Sequence, residues 1–372
     1  MPAVLVVLAP AVLLRVFVFG TFAVTSPSME PALLVGDHLI AWKRPLTGAP
    51  QPWDLVLLSP DVDDEVPSGV DALVKRAVSA PTGTSEFVSV RGGDLWAGPS
   101  PESLALRRRP QALVDAQLHE VHRAESAGSP WLGVGAHDAE GGGLWLDGSA
   151  DAASLRFGRA VRDGHGDDPG HDVVHDTGLA LELRAPLARG SLRLRLREGA
   201  DVYEARLDAD DAGCTVSLLH NLAGDALPSR RLPHALGPGR LRFLNVDDEL
   251  RLEIDGAPLL RHDVGPAAEL PPGTPLNNAP ALELHGARLE LAALCVLRDQ
   301  HYTSQGRFAT RGDGGFPVYE VPAGSLFVLG DDSRRSRDSR HLGALPGSAL
   351  IGRPFARYLP ADRRGWLDRT GL

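Results

Sequence analysis

The sequence predicts an all-β, mainly antiparallel protein with an N-terminal transmembrane helix. Glycine and proline are abundant, at 41 and 30 of 372 residues, while aromatic residues make up only 5%, which is typical of short elements joined by many turns. Long stretches alternate apolar and polar residues with period two, the pattern of strands with one buried face. The first 24 residues are almost wholly apolar. The net charge of -10 argues against non-specific nucleic-acid binding, which needs a basic surface.

The apolar N-terminus predicts a membrane anchor over residues 1–21. Arg15 is its only charge, and a side chain of this length can reach the membrane interface. A cleavable signal peptide is disfavoured because the start lacks Lys and Arg, and a buried core helix because the stretch has no polar face. The 14 residues before Arg15 are fewer than the roughly 20 that span a bilayer, so we expect a few residues upstream.

Short strand-like runs follow the anchor. HLIAW, DLVLLSP and DALVKRAVSA are separated by turn residues, and EFVSVRGGDLWAG has the alternation and the Gly-Gly turn of a β-hairpin. Apolar residues after Pro110 permit a short helix.

From residue 125 to 305 the alternation becomes regular. LALELRA, GSLRLRLREG, CTVSLLH and GRLRFLNVDDELRLEIDG are separated by Gly, Pro, Asp and Asn turns, which predicts an antiparallel sandwich. Short apolar runs return after residue 306. We therefore expect one catalytic domain in two segments, 22–124 and 306–372, interrupted by an inserted β-sandwich at 125–305. Cys214 and Cys295 fit either two buried thiols or one disulfide.

Three stretches carry groups for nucleophilic catalysis. Ser28 lies between Pro27 and Pro31 directly after an apolar strand, and the prolines restrict the backbone around it. A nucleophilic serine needs a base. The candidate base is Lys75, which stands inside an apolar run, where desolvation lowers a lysine pKa; a solvent-facing lysine at a strand edge is the alternative. The third stretch, 330–340, is a dense charged turn that is either solvated or internally paired.

Together these stretches resemble the type I signal peptidase family, the Ser-Lys leader peptidases of peptidase family S26. RVFVF looks like the family's anchor-to-strand junction, and SPSMEPALLVGDHLI looks like its nucleophile box and the following strand. PWDLVLLSP, VKRAV and GDDSRRSRDSRHLGALPGSALIGRPFARYLP resemble the remaining boxes, in the family's order. Ala32, the segment 80–83, Ser333 and Arg334 depart from the family pattern, which puts turn geometry and local ion pairing in doubt.

The resemblance implies a role for each matching residue. Ser28 would be the nucleophile and Lys75 the general base, a Ser-Lys variant of the nucleophile-base pair. The Ser26 hydroxyl and the Ser28 backbone N–H would form the oxyanion hole. Support for the base and the shallow substrate pockets would come from two further groups of residues. These are Ser336, Asp338 and Arg340 for the base, and Phe22, Val24, Met29, Leu33 and Val74 for the pockets.

The resemblance also implies an enzyme without a cofactor that removes signal peptides from exported preproteins at Ala-x-Ala type sites. Its partners would be these preproteins, the lipid bilayer and the export machinery, with no nucleic acid. Its place would be the inner membrane, in a single pass, with the catalytic domain on the extracytoplasmic side. The alternative is a membrane-tethered binding module on a degenerate peptidase scaffold, against which retention of both dyad residues counts. A self-cleaving Ser-Lys regulator is disfavoured by the apolar N-terminus.

The insert resembles laminin-G and concanavalin-like jelly rolls, which implies a glycan or protein ligand; a purely structural or substrate-shielding role is at least as well supported, because a fold does not give a function. Its loop 163–176 is rich in groups that can bind metals. Because the spacing fits no specific metal signature, we interpret it as an exposed acidic loop and predict no metal site.

Overall fold

The computed structural model describes residues 18–372, except 45, 129, 165–167, 169, 222–224, 267–277, 309 and 312–315. The chain forms two compact units: unit 1 comprises Met1–Gln117 and Tyr302–Leu372, and unit 2 comprises Leu118–His301. Most of the predicted anchor lies outside the described residues. Within the described ranges, no helix combines the length and the apolar character that a bilayer crossing needs.

The all-β, mainly antiparallel class is confirmed. Strands dominate both units, and only two short α-helices occur in the described part of the chain. Helix α1 (Gln111–Gln117) confirms the helix predicted after Pro110, and it buries Leu113 and Val114. Helix α2 (Ser339–Leu342) is a single turn.

Unit 1 contains a seven-stranded antiparallel sheet. Its strands are β1 (Phe19–Ala23), β2 (His38–Lys43), β3 (Leu55–Leu58), β4 (Leu73–Ala77), β26 (Val328–Leu329), β28 (Leu350–Leu359) and β29 (Gly365–Trp366). They lie in the order β1-β2-β28-β3-β4-β26, and β29 pairs with β28. Strand β28 from the C-terminal segment therefore lies between two strands of the N-terminal segment, so both segments are needed to complete this sheet.

A five-stranded sheet and a small ribbon complete unit 1. The sheet has the order β23-β24-β5-β6-β7, and β25 pairs with β27. Their strands are β5 (Glu86–Arg91), β6 (Asp94–Gly98), β7 (Ala105–Leu106), β23 (Thr310–Arg311), β24 (Pro317–Val321), β25 (Ser325–Leu326) and β27 (Leu345–Pro346). Strands β5 and β6 form the predicted hairpin. Gly92 and Gly93 connect them with φ values of 64° and 108°, a conformation that glycine adopts without strain and that two-residue hairpin turns require.

Unit 2 consists of two antiparallel sheets. One has the order β10-β11-β22-β13-β18-β19-β20, with β8 also paired to β22, and the other has the order β17-β16-β15-β14-β21-β12-β9. The strands are β8 (His119–Ala124), β9 (Trp131–Val134), β10 (Ala136–Asp138), β11 (Leu144–Asp147), β12 (Ala153–Phe157), β13 (Thr177–Leu183), β14 (Gly190–Glu198), β15 (Asp201–Asp210), β16 (Gly213–His220), β17 (Asp225–Leu232), β18 (Gly239–Val246), β19 (Glu249–Ile254), β20 (Ala257–Asp263), β21 (Ala281–His285) and β22 (Arg288–Arg298).

One hydrophobic core joins the two sheets of unit 2. Leu179 and Leu181 of β13 and Leu194 and Leu196 of β14 belong to the same cluster of buried residues. Burial alternates along β14, as its GSLRLRLRE sequence predicts. Cys214 and Cys295 are both buried and free. Of the two alternatives for the cysteines, the structure has the free thiols.

Candidate active site

Ser28 lies in a 3-10 turn directly after β1. The turn covers Pro27–Met29, and the fixed φ of Pro27 suits the first position of such a turn. Ser28 is only 4% exposed, and Met29, 1% exposed, belongs to the hydrophobic cluster beneath it. Ser26 occupies the N-cap position without capping the turn; its Oγ instead lies 3.1 Å from Ser28 Oγ. The turn thus holds two hydroxyl groups side by side.

Lys75 lies in β4, where it pairs with Val56 of β3. Its side chain is buried, at 4% exposure. The Lys75 Nζ donates hydrogen bonds to Ser28 Oγ at 2.9 Å and to Ser336 Oγ at 3.1 Å. The structure therefore brings three of the predicted residues into direct contact, and the alternative of a solvent-facing lysine does not hold.

Burial lowers the pKa of Lys75 from 10.5 to about 8, because the low-dielectric surroundings disfavour the charged ammonium. The carboxylate of Asp338 opposes this by stabilising the ammonium, whereas the guanidinium of Arg340 lowers the pKa further. Asp331 and Asp63 also act to raise it. The result is an amine whose neutral form is accessible near neutral pH.

Within the charged turn 330–340, Asp338 and Arg340 pair with each other. Asp338 accepts hydrogen bonds from Arg340 Nε at 2.9 Å and Nη2 at 2.8 Å, and both side chains are fully buried. Asp338 also caps α2 through the Arg340 N–H and accepts the Gly330 N–H at 3.0 Å. These bonds fold the turn back on itself behind Lys75, so that Ser336 meets the amine.

Gly330 is required by close packing. A Cβ atom at this position would lie 2.2 Å from Ser336 Oγ and 2.5 Å from the Ser28 carbonyl oxygen. Contacts this short are forbidden for any larger residue unless the backbone moves. The glycine therefore lets the turn approach both the Ser28 backbone and the Ser336 hydroxyl, which contacts Lys75.

A small cavity of about 20 Å³ adjoins Ser28 and Lys75. It is lined by Val24, Met29 and Val74 from the predicted pocket set, together with Ser26, Ser28 and Lys75. Phe22 and Leu33 do not line it: Phe22 is partly buried beside the cluster that contains Met29, and Leu33 is fully buried in that cluster. A space of this size holds one water-sized or methyl-sized group.

An ion pair in this region was missed by the sequence-based interpretation. Arg76 donates to both carboxylate oxygens of Asp331, at 2.6 and 2.5 Å, and neither side chain is exposed. Arg76 also donates to the Trp53 and Thr370 carbonyl oxygens. The sequence does contain a sign of this ion pair. Two adjacent cations lie in the apolar run LVKRAV, and each must find a buried partner or lose its charge.

The loop 163–176 of unit 2 lies partly outside the described residues, including His165 and Asp167. Asp163 is buried and accepts the backbone N–H groups of His171 and Asp172 at 2.7 and 3.0 Å. This carboxylate therefore has a structural role in closing the loop. The loop was predicted to be exposed, and for Asp163 that prediction is wrong, because the residue is buried.

Parts of the chain are similar in sequence to signal peptidases. The family model described as signal peptidase, peptidase S26, matches residues 1–96 and 278–359. A probable signal peptidase I-1 from Synechocystis sp. is 33% identical over 86 residues, which cover 23% of this chain and 44% of the relative. A signal peptidase I from Leptolyngbya laminosa is 44% identical over 48 residues, which cover 13% and 24%. The chain thus spans less than half the length of these relatives.

Two solved structures show the weak level of structural similarity. The catalytic domain of an endo-1,3-beta-glucanase (laminarinase) from Thermotoga petrophila has a TM-score of 0.32 and 11% identity, covering 50% of this chain and 99% of that one. A galectin from Caenorhabditis elegans has a TM-score of 0.25 and 13% identity, covering 48% and 96%. Similarities at this level carry no argument about the inserted unit, so its laminin-G-like character stays a prediction.

Proposed function

Since residues 1–96 and 278–359 match the family model of signal peptidase, peptidase S26, we propose that the chain is a membrane-bound serine endopeptidase that removes N-terminal signal peptides from exported preproteins. The observation that carries the proposal is the 2.9 Å contact between the buried Lys75 Nζ and Ser28 Oγ. It places a nucleophile and a base of suitable pKa in hydrogen-bonding contact.

The reaction begins when neutral Lys75 accepts the Ser28 hydroxyl proton as Ser28 Oγ attacks the scissile carbonyl carbon. With a pKa of about 8, about one Lys75 in five is neutral at pH 7.4, against about one in a thousand for an unperturbed lysine. The ammonium then gives its proton to the leaving amine, which departs as the new N-terminus of the mature protein. A water molecule attacks the acyl-enzyme, Lys75 again acts as base, and Ser28 is restored.

Ser26 and Ser336 support this chemistry in different ways. The Ser26 hydroxyl lies close enough to Ser28 Oγ to donate to the oxyanion that forms on the attacked carbonyl, together with the Ser28 N–H. Such a donor stabilises the transition state by about 3 kcal/mol. Ser336 accepts a hydrogen bond from Lys75 and so keeps the amine directed at the nucleophile.

The cavity beside the dyad favours small side chains. Its volume of about 20 Å³ fits a methyl group, and its walls of Val24, Met29 and Val74 suit an apolar one. We infer that alanine is preferred next to the cleaved bond, in keeping with Ala-x-Ala type sites. The preproteins would be the substrates, and the export machinery would supply them.

A row of three stacked aromatic rings in unit 1, of which the two tryptophans are exposed, supports contact with lipid. Trp42 stacks on Phe355 with ring centroids 4.5 Å apart, and Phe355 stacks on Trp366 at 5.9 Å. Trp366 is 81% exposed and Trp42 is 37% exposed. Tryptophan is favoured at the boundary between lipid and water. We infer that unit 1 rests against the extracytoplasmic surface of the inner membrane, with the N-terminal apolar segment as its anchor.

Cleavage of a preprotein with an Ala-x-Ala site tests the proposal. Ser28→Ala and Lys75→Ala should each lower kcat/KM at least about a thousandfold, as removal of one member of a catalytic unit does. Ser85→Ala, at an exposed serine, and Lys43→Ala, at the only other lysine of the sequence, are the matched controls and should cleave normally. An inactive wild-type protein with intact ligand binding would instead favour a binding module on a degenerate scaffold.

A further inference from the structure

Thr303 lies just after the end of unit 2 and contacts the turn 330–340 behind Lys75. Unit 2 ends at His301, and Thr303 already belongs to unit 1. The Thr303 N–H donates to Ser333 Oγ at 2.9 Å. Arg340 Nη1 donates to the Thr303 carbonyl oxygen at 3.0 Å and to its Oγ1 at 2.6 Å. The contact is close, because a Cβ at Gly306 would lie 2.3 Å from the Arg340 carbonyl oxygen.

These contacts complete the hydrogen bonding of a buried guanidinium. Arg340 has no exposed surface, so each N–H that lacks an acceptor is destabilising. Asp338 accepts from Nε and Nη2. Nη1 donates to Thr303 and to Ser333 Oγ at 2.5 Å. Nη2 also donates to the Ser333 carbonyl oxygen at 2.7 Å. Thr303 and Ser333 thus accept hydrogen bonds from Nη1, whereas Asp338 accepts them from Nε and Nη2.

The position of Arg340 affects the base through Asp338. Asp338 holds the Gly330 N–H, and Gly330 packs against the hydroxyl of Ser336. The charged groups acting on Lys75 are Asp338, Arg340, Asp331 and Asp63. A guanidinium that moves away from Asp338 would leave more negative charge facing the amine.

We propose that Thr303 and Ser333 are positioning residues of the peptidase site, which hold Arg340 against Asp338 and thereby keep the Gly330–Ser336 wall in place behind Lys75. The inference rests on the proposed function.

The test is the double variant Thr303→Val/Ser333→Ala in the full chain. The sequence has only two lysines, so a sample with ¹³C-labelled lysine has two Cε resonances, and Lys75→Met assigns them. We expect the pKa of Lys75 to rise by about half a unit or more, because Asp338 is less neutralised. We expect kcat/KM for an Ala-x-Ala peptide at pH 7 to fall about tenfold, with the acid limb of its pH profile moved to higher pH.

Controls separate positioning from folding. Thr303→Ser keeps the hydroxyl and should retain the wild-type profile, and Ser304→Ala alters an exposed neighbour and should do the same. If circular dichroism shows that the double variant is unfolded, Thr303→Val alone carries the test, since it keeps the side-chain shape and the backbone acceptor; the pKa should move in the same direction.

The outcomes also separate this inference from the proposed function. An unchanged Lys75 pKa and pH profile in a folded variant, while the wild type cleaves in a Ser28-dependent manner, overturns the positioning role alone. A wild type that does not cleave overturns the peptidase, and the Lys75 resonance still reports whether Thr303 and Ser333 act on the amine.

Discussion

Replacement of Lys75 by methionine should change the stability of unit 1 in a pH-dependent way. The lysine has a pKa of about 8 in the folded protein and 10.5 as a free side chain, a difference of roughly 2.5. Each pKa unit corresponds to about 1.4 kcal/mol. At a pH where Lys75 is protonated in both the folded and the unfolded chain, its burial therefore lowers the free energy of unfolding by about 3 kcal/mol. Methionine has a similar length, carries no charge and removes this destabilisation.

The sign follows from proton binding. Between pH 8 and 10.5 the unfolded chain binds more protons at Lys75 than the folded chain, so wild-type stability rises with pH in this window. Below about pH 8 the destabilisation is fully present. Relative to wild type, Lys75→Met should therefore gain about 2 kcal/mol more at pH 6.5 than at pH 9.5. The lost hydrogen bonds to Ser28 and Ser336, about 1 kcal/mol each, do not depend on pH and cancel in this comparison.

Equilibrium urea unfolding at the two pH values measures the effect. Because the chain has two units, the unfolding of unit 1 must be followed separately. Each urea sample receives a hydrogen-exchange pulse at one fixed pH, and the exchange is measured on peptides from β3 and β4. The matched control is Lys43→Met, at a partly exposed position of β2. A Lys75→Met difference that stays constant or grows with pH would refute the desolvated amine. An equal change in Lys43→Met would assign the effect to general loss of positive charge.

Three further substitutions test the surroundings of the dyad. Gly330→Ala should push the turn away from Ser28 by about 1 Å and lower kcat/KM about a hundredfold, with circular dichroism unchanged; normal activity would show that the close packing is not needed. Asp331→Ala leaves the Arg76 guanidinium buried without its carboxylate and should destabilise unit 1 by about 3 to 5 kcal/mol; a loss below about 1 kcal/mol in urea unfolding would contradict this. Ser26→Ala should lower kcat by a factor of about 100 to 1000 with little change in KM; a rise in KM alone would argue for a binding role instead.

Much of the candidate site was accessible from local sequence. Ser28 follows an apolar strand and lies between prolines, and Lys75 interrupts an apolar run. Both patterns depend on neighbours in the chain. The hairpin at Gly92–Gly93 was predictable for the same reason, since its turn conformation depends on two adjacent glycines.

Other features depend on residues far apart in the chain. Ser336 is 261 residues from Lys75, and Asp331 is 255 residues from Arg76; a resemblance can suggest the first contact, but residue patterns alone predict neither. The role of Thr303 depends on where the chain re-enters unit 1, and the need for glycine at position 330 depends on the space left by Ser28 and Ser336. Leu33 shows the converse: its apolar character is plain in the sequence, but only packing decides that it lies in the core and not at the cavity.

Local residue patterns are enough to predict the all-β class, the alternation that buries one face of each strand and the groups able to act as nucleophile and base. These properties follow from backbone geometry and side-chain chemistry, which act over a few residues. The tertiary structure decided that the amine is desolvated, that it lies 2.9 Å from the hydroxyl and which buried charges surround it. Desolvation and charge pairing depend on the packing of segments from both ends of the chain, and residue order alone does not specify that packing.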